Sequence, residues 1–320
     1  MKLFAKFCAL ATLAAALTVP QAAHAAETAT GQVEVGISEV DLAGPVISTV
    51  KVTVTNRTAT RLSKLAVTFR GPVGWTVYPE SRTVRDAVKP GGSVVLDFQI
   101  RVPAPRSGFT IRTFTATATY SGGAAVGTRS QRSGTPLPNL AAAFNNVGVT
   151  NESNPAPGNF DGEGNSFSAQ RLAAAGVSPG ATVTALGATL KWPDAAAGTK
   201  DNAAGGGQTI EFSGQGQRLV LLGAGSSLSA VGSVTVWYTD GTSSTGSFGF
   251  PNWSFQDAGA HGATQVVATD GRNTPAGYAN AEYKYRLFAN SVPLDPAKTV
   301  DLVTLPSTGS LHVFALATAG

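Results

Sequence analysis

Hydrophobic and polar residues alternate along short stretches of this chain from residue 27 to its end, with Gly, Pro, Ser and Thr between them. Apolar side chains recur at every second position at Val50, Val52 and Val54, which predicts a strand with one dry face. A longer alternation covers residues 94–102. About seven such strands in roughly a hundred residues predict an immunoglobulin-like β-sandwich over residues 27–127.

The region from residue 139 to residue 320 has longer loops and less regular spacing. Its apolar runs predict strands at residues 144–150, 183–192, 218–222, 231–238, 247–250, 265–269, 283–288, 300–305 and 311–317. Residues 169–176 form the one stretch that predicts a helical turn. Many strands with long connections favour a jelly roll. The predicted fold class is therefore all-β, an Ig-like sandwich followed by a larger jelly-roll sandwich.

The segment between these regions loses its alternation and is rich in Gly, Ser, Thr, Arg and Pro. We interpret residues 128–138 as a linker that is stiffened at its end by Pro136 and Pro138. This interpretation places the domain boundary near Ser133.

The first residues have the features of an export signal. Lys2 and Lys6 give a basic start, residues 7–19 are mostly apolar, and residues 23–25 read Ala-His-Ala, a small-residue cleavage site. We therefore predict a signal peptide at residues 1–25 and a secreted, extracellular protein. The apolar run is too short to span a bilayer, so no transmembrane anchor is expected. The single Cys, Cys8, lies in the predicted signal, so no disulfide is expected in the mature chain.

The charge of the chain gives no sign of a polyanionic partner. The net charge is +4, from 23 Lys and Arg against 19 Asp and Glu, and removal of Lys2 and Lys6 leaves 21 against 19, a net of +2. The basic residues are scattered, whereas nucleic-acid binding needs a concentrated basic face. We expect no nucleic-acid partner.

Two stretches carry a resemblance to known families. The sequences at residues 74–77 (GWTV), 88–91 (VKPG) and 114–120 (FTATATY) resemble the Ig-like domain that accompanies the NPCBM sugar-binding module of α-galactosidases. The resemblance implies a scaffold in a secreted sugar-active protein. Trp75 could stack on a sugar, but a core position is the favoured interpretation.

The second region resembles a C-terminal β-sandwich attached to secreted actinobacterial glycosidases. The matching residues lie at 144–149 (FNNVGV), 158–162 (GNFDG), 198–202 (GTKDN) and 312–315 (HVFA). The resemblance implies a carbohydrate-binding-like jelly roll, without the catalytic domain that usually precedes such a module.

Loop residues are the candidates for carbohydrate binding, because a sugar site combines an aromatic face with hydrogen-bonding side chains. Trp253 follows a predicted strand and offers a stacking surface, while Arg272 and Asn273 offer donors for hydroxyl groups. The alternative for each of the three is a structural role, which the residues taken singly favour. Trp192 is in phase with Leu190 and is predicted to lie in the core.

Other motifs permit alternative interpretations. The alternating oxygen ligands Asp161, Glu163 and Asn165 could hold a structural calcium or could form an ordinary turn. The LPSTG at residues 305–309 matches a sortase motif, but the downstream residues lack an apolar span and a basic tail, which favours a turn.

A glycosidase needs two facing carboxylates, and no pair of acidic residues is marked as such by the sequence. No nucleophile motif, zinc cluster or cofactor motif is present, so we predict neither enzymatic activity nor a cofactor. The sequence predicts a non-catalytic accessory protein that binds a polysaccharide or glycan. The alternatives are a structural or adhesive surface protein that binds other proteins, and a small glycoside hydrolase. The oligomeric state is not specified by the sequence.

Overall fold

A computed structural model describes residues 33–43, 46–104 and 109–320. The predicted signal peptide at residues 1–25 lies outside the described residues.

The first region forms two four-stranded antiparallel sheets, with strand orders β1-β2-β6-β4 and β5-β3-β7-β8. The strands are β1 (Val33–Ile37), β2 (Val46–Asn56), β3 (Ala66–Arg70), β4 (Thr76–Tyr78), β5 (Ser81–Thr83), β6 (Ser93–Val102), β7 (Thr110–Tyr120) and β8 (Gly123–Ser133). The alternation predicted for β2 and β6 is confirmed, because Val50, Val52 and Val54 on β2 and Phe98 and Ile100 on β6 are fully buried.

The core of this sandwich is a single cluster centred on aromatic side chains. Phe69 lies 5.5 Å from Phe98 and 6.3 Å from Phe114 between ring centroids. Trp75 is half-buried at the edge of this cluster, 5.9 Å from Phe114, and the Arg112 guanidinium lies 5.6 Å from its ring. These contacts on the indole agree with the core position favoured by the sequence.

The prediction of a linker at residues 128–138 is wrong for residues 128–133, which belong to a strand. Strand β8 extends to Ser133 and pairs with β7 along its whole length, from Thr110 opposite Ser133 to Tyr120 opposite Gly123. The sequence was misleading because an edge strand with two polar faces lacks hydrophobic alternation. Backbone pairing with β7, rather than side-chain burial, therefore defines this strand.

The second region is a larger sandwich with a five-stranded sheet, β13-β21-β15-β19-β18, and a four-stranded sheet, β14-β20-β16-β17. Its strands are β9 (Val149–Thr150), β10 (Phe167–Ser168), β11 (Thr182–Ala185), β12 (Ala188–Lys191), β13 (Ala203–Ala204), β14 (Thr209–Gly214), β15 (Arg218–Gly225), β16 (Val231–Tyr238), β17 (Ser243–Gly249), β18 (Thr264–Thr274), β19 (Gly277–Pro293), β20 (Val300–Thr304) and β21 (Leu311–Ala319). Two 3₁₀ turns lie at Ala141–Ala143 and Ala260–Gly262. The all-β fold class is confirmed.

A short helix, α1 (Ala169–Ala174), confirms the predicted helical turn. It begins at Ser168, whose side chain accepts a hydrogen bond from the backbone of Arg171, and Gly176 follows it with a φ of 85°. Ser at the N-cap and Gly after the last turn supply the partners and the left-handed conformation that helix ends require.

Several details of the second region differ from the prediction: the short strands β10 and β13 were not predicted, and β18 and β19 are longer than predicted. Residues 183–192 form a hairpin of β11 and β12 instead of one strand, because Leu186 and Gly187 both have a positive φ and reverse the chain. Strand β14 was also not predicted, because its alternation is limited to two apolar residues, Ile210 and Phe212, beside Gly-rich sequence. The LPSTG segment is confirmed as the turn between β20 and β21.

The assignment of residues 123–133 to a strand makes a testable prediction at Gly127. A Cβ at Gly127 would overlap the backbone carbonyl of Val35 on β1, so Gly127→Ala should lower the free energy of unfolding by about 1–3 kcal/mol. Urea denaturation measures this loss. Gly36→Ala on β1 is the matched control, because its nearest described neighbour is 3.9 Å away. Equal stability of the two variants would mean that β1 does not pack against β8.

Candidate functional site

Trp253, predicted to present an exposed stacking face, is only 2% exposed. Its ring lies 4.8 Å from Phe160, 4.8 Å from Phe167 and 4.7 Å from Tyr285 between centroids. The loop turns inward because the Trp253 amide donates to the Gly225 carbonyl at 2.9 Å, at the end of β15. The prediction of an exposed Trp253 is therefore wrong, and the side chain belongs to the aromatic core.

Asn273 is also buried, with no exposed surface. Its Nδ2 donates to the backbone carbonyl and to the hydroxyl of Thr150, each at 2.9 Å. Its backbone pairs with that of Ser166 in both directions. Asn273 thus joins the end of β18 to two neighbouring segments, and its amide donors are not available to a ligand.

Arg272 is largely enclosed, with its side chain 18% exposed. Its guanidinium lies 3.4 Å from the Asp161 carboxylate and 5.7 Å from the Tyr285 ring. Two of the three predicted residues, Trp253 and Arg272, meet at the Tyr285 ring. They converge inside the protein rather than on its surface.

The loop at residues 161–165 is an ordinary turn organised by Asp161. One carboxylate oxygen accepts from the Glu163 amide at 3.0 Å, and the other accepts from the Asn165 side chain at 2.8 Å. Together with the ion pair to Arg272, these bonds occupy the carboxylate that a cation would need. Across the described ranges, no three acidic, histidine or cysteine side chains cluster as a metal site.

A buried polar network centred on Asp201 joins several of the sequence motifs described above. Its carboxylate accepts from the amides of Gly148 and Val149, each at 2.8 Å, and from Asn202 Nδ2 at 2.7 Å. Asn202 also donates to Asn146 Oδ1 at 3.0 Å. Because both amide donations use Nδ2, Asn202 Oδ1 faces His312 Nδ1 at 2.8 Å, which assigns the proton of the neutral imidazole to Nδ1.

The low polarity of this region shifts two titrating groups in opposite directions. Burial raises the pKa of Asp201 to about 6, although the hydrogen bonds from Asn202, Gly148 and Val149 oppose the shift. Burial lowers the pKa of His312 to about 4. In both cases the desolvation of the charged form is the main cause.

An open groove of about 590 Å³ lies beside this network on the second sandwich. Its floor is formed by aromatic side chains: Phe144 and Phe212, which are half-buried, and Trp192 and Phe314, which are buried and stacked at 4.6 Å. The core position predicted for Trp192 is confirmed.

The groove carries four charged side chains, Lys191, Asp194, Lys200 and Glu211, all exposed. Within the described part of the chain, none of the four is hydrogen-bonded or ion-paired through its side chain. An aromatic floor beside charged groups that are free to donate and accept can hold a ligand with both apolar and polar surfaces.

The polar network positions part of the lining of the groove. Phe144 immediately precedes the Asn145–Asn146 pair, Lys200 precedes Asp201, and Phe314 lies two residues after His312. The segments that carry Phe144, Lys200 and Phe314 are therefore held by hydrogen bonds of neighbouring residues, those of Asp201 and His312 being buried. The motifs that carry the family resemblance therefore contain both network residues and lining residues, Phe144, Lys200 and Phe314 among the latter.

Sequence reasoning missed the lining residues Phe212 and Lys200. Phe212 lies on the unpredicted strand β14, and Lys200 lies in a loop that the hydrophobic pattern does not place. The sequence signal for Lys200 was its place inside the motif segment 198–202, whereas Phe212 lies in none of the motif segments.

Comparison with known families supports the two-module organisation. The model of the AziU2-like beta-sandwich domain matches residues 136–320. The model of the NPCBM-associated, NEW3 domain of alpha-galactosidase matches residues 46–121. These are accessory β-sandwich domains rather than catalytic glycosidase families.

The comparisons with individual proteins add little. No curated protein matches the chain. Among solved structures, a FixG-related protein from Vibrio parahaemolyticus aligns at 17% identity over 32% of this chain and 94% of its own, with a TM-score of 0.22. The GAE domain of GGA2p from Saccharomyces cerevisiae aligns at 17% identity over 32% and 87%, with a TM-score of 0.19. Scores this low support no argument about this chain. In the described segments, no helix combines the length and apolarity needed to cross a bilayer.

Because Trp253 is buried, its removal should destabilise the protein, whereas removal of an exposed sugar-stacking residue would leave stability unchanged. Trp253→Ala removes a ring that contacts three other rings, and should lower the free energy of unfolding by about 3–5 kcal/mol. Thermal or urea unfolding measures the change. Phe255→Ala is the control, because Phe255 is 73% exposed in the same loop and should change stability by less than about 0.5 kcal/mol. A fully stable Trp253→Ala variant would place the ring at the surface.

The buried histidine predicts a pH dependence of stability. The folded-state pKa of His312 is lowered to about 4 from 6.5, so its contribution to stability is present above pH 6.5 and is lost as the pH falls towards 4. The raised pKa of Asp201 has the opposite sign: its contribution is present below pH 3.8 and is lost as the pH rises through about 6.

The His312→Gln variant isolates the first effect. The stability advantage of wild type over His312→Gln should shrink by on the order of 2 kcal/mol between pH 7 and pH 4, measured by urea denaturation. His261→Gln, at an exposed position, controls for the loss of a histidine elsewhere. A constant difference between wild type and His312→Gln across this range would show that His312 is not held neutral by burial.

Proposed function

This chain belongs to the AziU2-like β-sandwich family through residues 136–320, and from that premise we propose that it is a secreted, non-catalytic accessory protein that binds carbohydrate in the groove of its second sandwich. The match of residues 46–121 to a domain named for α-galactosidase supports an association with sugar-active proteins. Secretion is supported by the signal-like sequence at residues 1–25.

The observation that carries the proposal is the pairing of an aromatic floor with free polar groups in one groove. The C–H faces of a sugar ring pack on aromatic side chains such as Phe144 and Phe212, while its hydroxyls need donors and acceptors. Lys191 and Lys200 supply donors, and Asp194 and Glu211 supply acceptors. The opposite charges balance, which favours a neutral glycan over a strongly ionic ligand.

A glycoside hydrolase is the second candidate, because Asp194 and Glu211 both line the groove and hydrolysis requires two carboxylates. Incubating each bound glycan with the protein and analysing the products separates binding from hydrolysis. An adhesive protein, the other alternative from the sequence, would bind no glycan on an array of neutral, acidic and amino-sugar oligosaccharides.

The groove makes a direct prediction for Phe212. Phe212→Ala removes part of the aromatic floor and should weaken binding of an array-positive oligosaccharide by about 1–3 kcal/mol, measured by isothermal titration calorimetry. Circular dichroism and the unfolding midpoint establish that the variant is folded, as expected for a half-buried side chain on an edge strand.

The matched control is Phe255→Ala, which removes an exposed phenylalanine outside the groove and should leave the affinity unchanged. Equal affinity of wild type and a folded Phe212→Ala variant would exclude this groove as the binding site. Equal losses in both variants would indicate a non-specific effect of removing surface aromatics.

A further inference from the structure

A second cavity, of about 450 Å³, lies where the two sandwiches meet. The first sandwich contributes Arg132 at the end of β8, and the second contributes Ser213, Thr239 and Asp301. The Arg132 guanidinium forms an ion pair with Asp301 across this junction. Both sandwiches therefore build the walls of one cavity.

The connection between the sandwiches is short and anchored at both ends. Strand β8 ends at Ser133, and Leu137 is already bound to β14, since its amide donates to Thr209 O at 2.9 Å and its carbonyl accepts from the Glu211 amide at 2.8 Å. Only residues 134–136 lie between these anchors. An extended chain advances by about 3.3–3.6 Å per residue, so the end of β8 must remain within roughly 14 Å of β14. The chain length alone keeps Arg132 close to this strand.

The junction cavity and the aromatic groove have two lining residues in common, Glu211 and Phe212. Both lie on β14, an edge strand of the four-stranded sheet. The two cavities therefore adjoin at one short segment of β14. Each volume on its own is within the range of about 300–1,000 Å³ that is usual for a small-molecule site.

The chemistry of the junction cavity resembles that of the groove. Phe212 offers an apolar surface, the hydroxyls of Ser213 and Thr239 can donate and accept, and the half-exposed Arg132 guanidinium has more donors than one carboxylate uses. These groups suit the hydroxyls of a second sugar unit.

We propose that the groove and the junction cavity form one extended cleft, and that its ligand is an oligosaccharide chain several units long, with the first sandwich supplying Arg132 to the distal part of the site. This inference rests on the proposed function and adds the length of the ligand and the role of the first module. A protein that binds single sugars would need only the groove.

The test is the dependence of affinity on ligand length. The probes are the members, from disaccharide to hexasaccharide, of any oligosaccharide series that binds on the array, titrated calorimetrically against the full chain. Affinity should rise by about tenfold or more with length and reach a plateau once the ligand spans both cavities. Uniform affinity across the lengths would overturn the extended cleft and leave the proposed function intact, whereas no binding at any length would overturn both.

A blocking variant locates the distal part of the cleft. Ser213 is exposed on β14 and lines only the junction cavity of the two, so Ser213→Trp should lower the affinity for the hexasaccharide by about tenfold while the disaccharide changes by less than about twofold. Ser153→Trp, in an exposed turn outside both cavities, is the matched control.

The contribution of the first sandwich is tested by Arg132→Gln. Arg132 lies at the surface, and its replacement should weaken hexasaccharide binding several-fold while disaccharide binding is retained. Equal losses for both ligands in Ser213→Trp, or no loss of hexasaccharide affinity in either variant, would overturn the proposal.

Discussion

The second sandwich depends on the buried carboxylate of Asp201. It accepts from two successive backbone amides, Gly148 and Val149, and from Asn202, so three buried donors are satisfied by one side chain. Through Asn202 the network reaches His312 on β21. Removing one member would leave the others buried without partners, which costs more than the lost bond itself. The network holds the segments that carry Phe144, Lys200 and Phe314, so hydrogen bonds within the protein position this part of the groove.

The predicted binding residues are buried because their side chains hold the loops of the second sandwich in place. Trp253, Arg272 and Asn273 carry the groups expected at a sugar site, and each uses them within the protein. Trp253 packs among three rings, Arg272 neutralises Asp161, and Asn273 satisfies Thr150. A long loop in a β-sandwich contains many backbone polar groups and must itself be held in place. Side chains that can stack and hydrogen-bond serve that purpose as well as they serve recognition.

Much of the fold could be predicted, because apolar residues at every second position mark the buried face of a strand. Strand β16 was predicted with the bounds that it has, and β2, β6 and β7 were recognised by their dry faces. The failures have physical causes. Strand β8 presents polar residues on both faces, and the β11–β12 hairpin reverses at Leu186, whose positive φ is uncommon for a residue with a Cβ. Of the groove, only the buried position of Trp192 was predicted, because the remaining lining residues come from separate strands and loops.

The sequence by itself determined the all-β class, the succession of two sandwiches and most strand positions, since these depend on local hydrophobic period and turn chemistry. The sequence also contains the motifs that form the Asp201 network, but it does not show that their side chains bond to one another. Only the tertiary structure decided which loops turn inward, which polar groups remain free, and where two modules meet. Those outcomes depend on contacts between residues far apart in the chain. Trp253 and Phe212 look alike as aromatic residues near polar neighbours, and only the packing around them makes one a core residue and the other a wall of the groove.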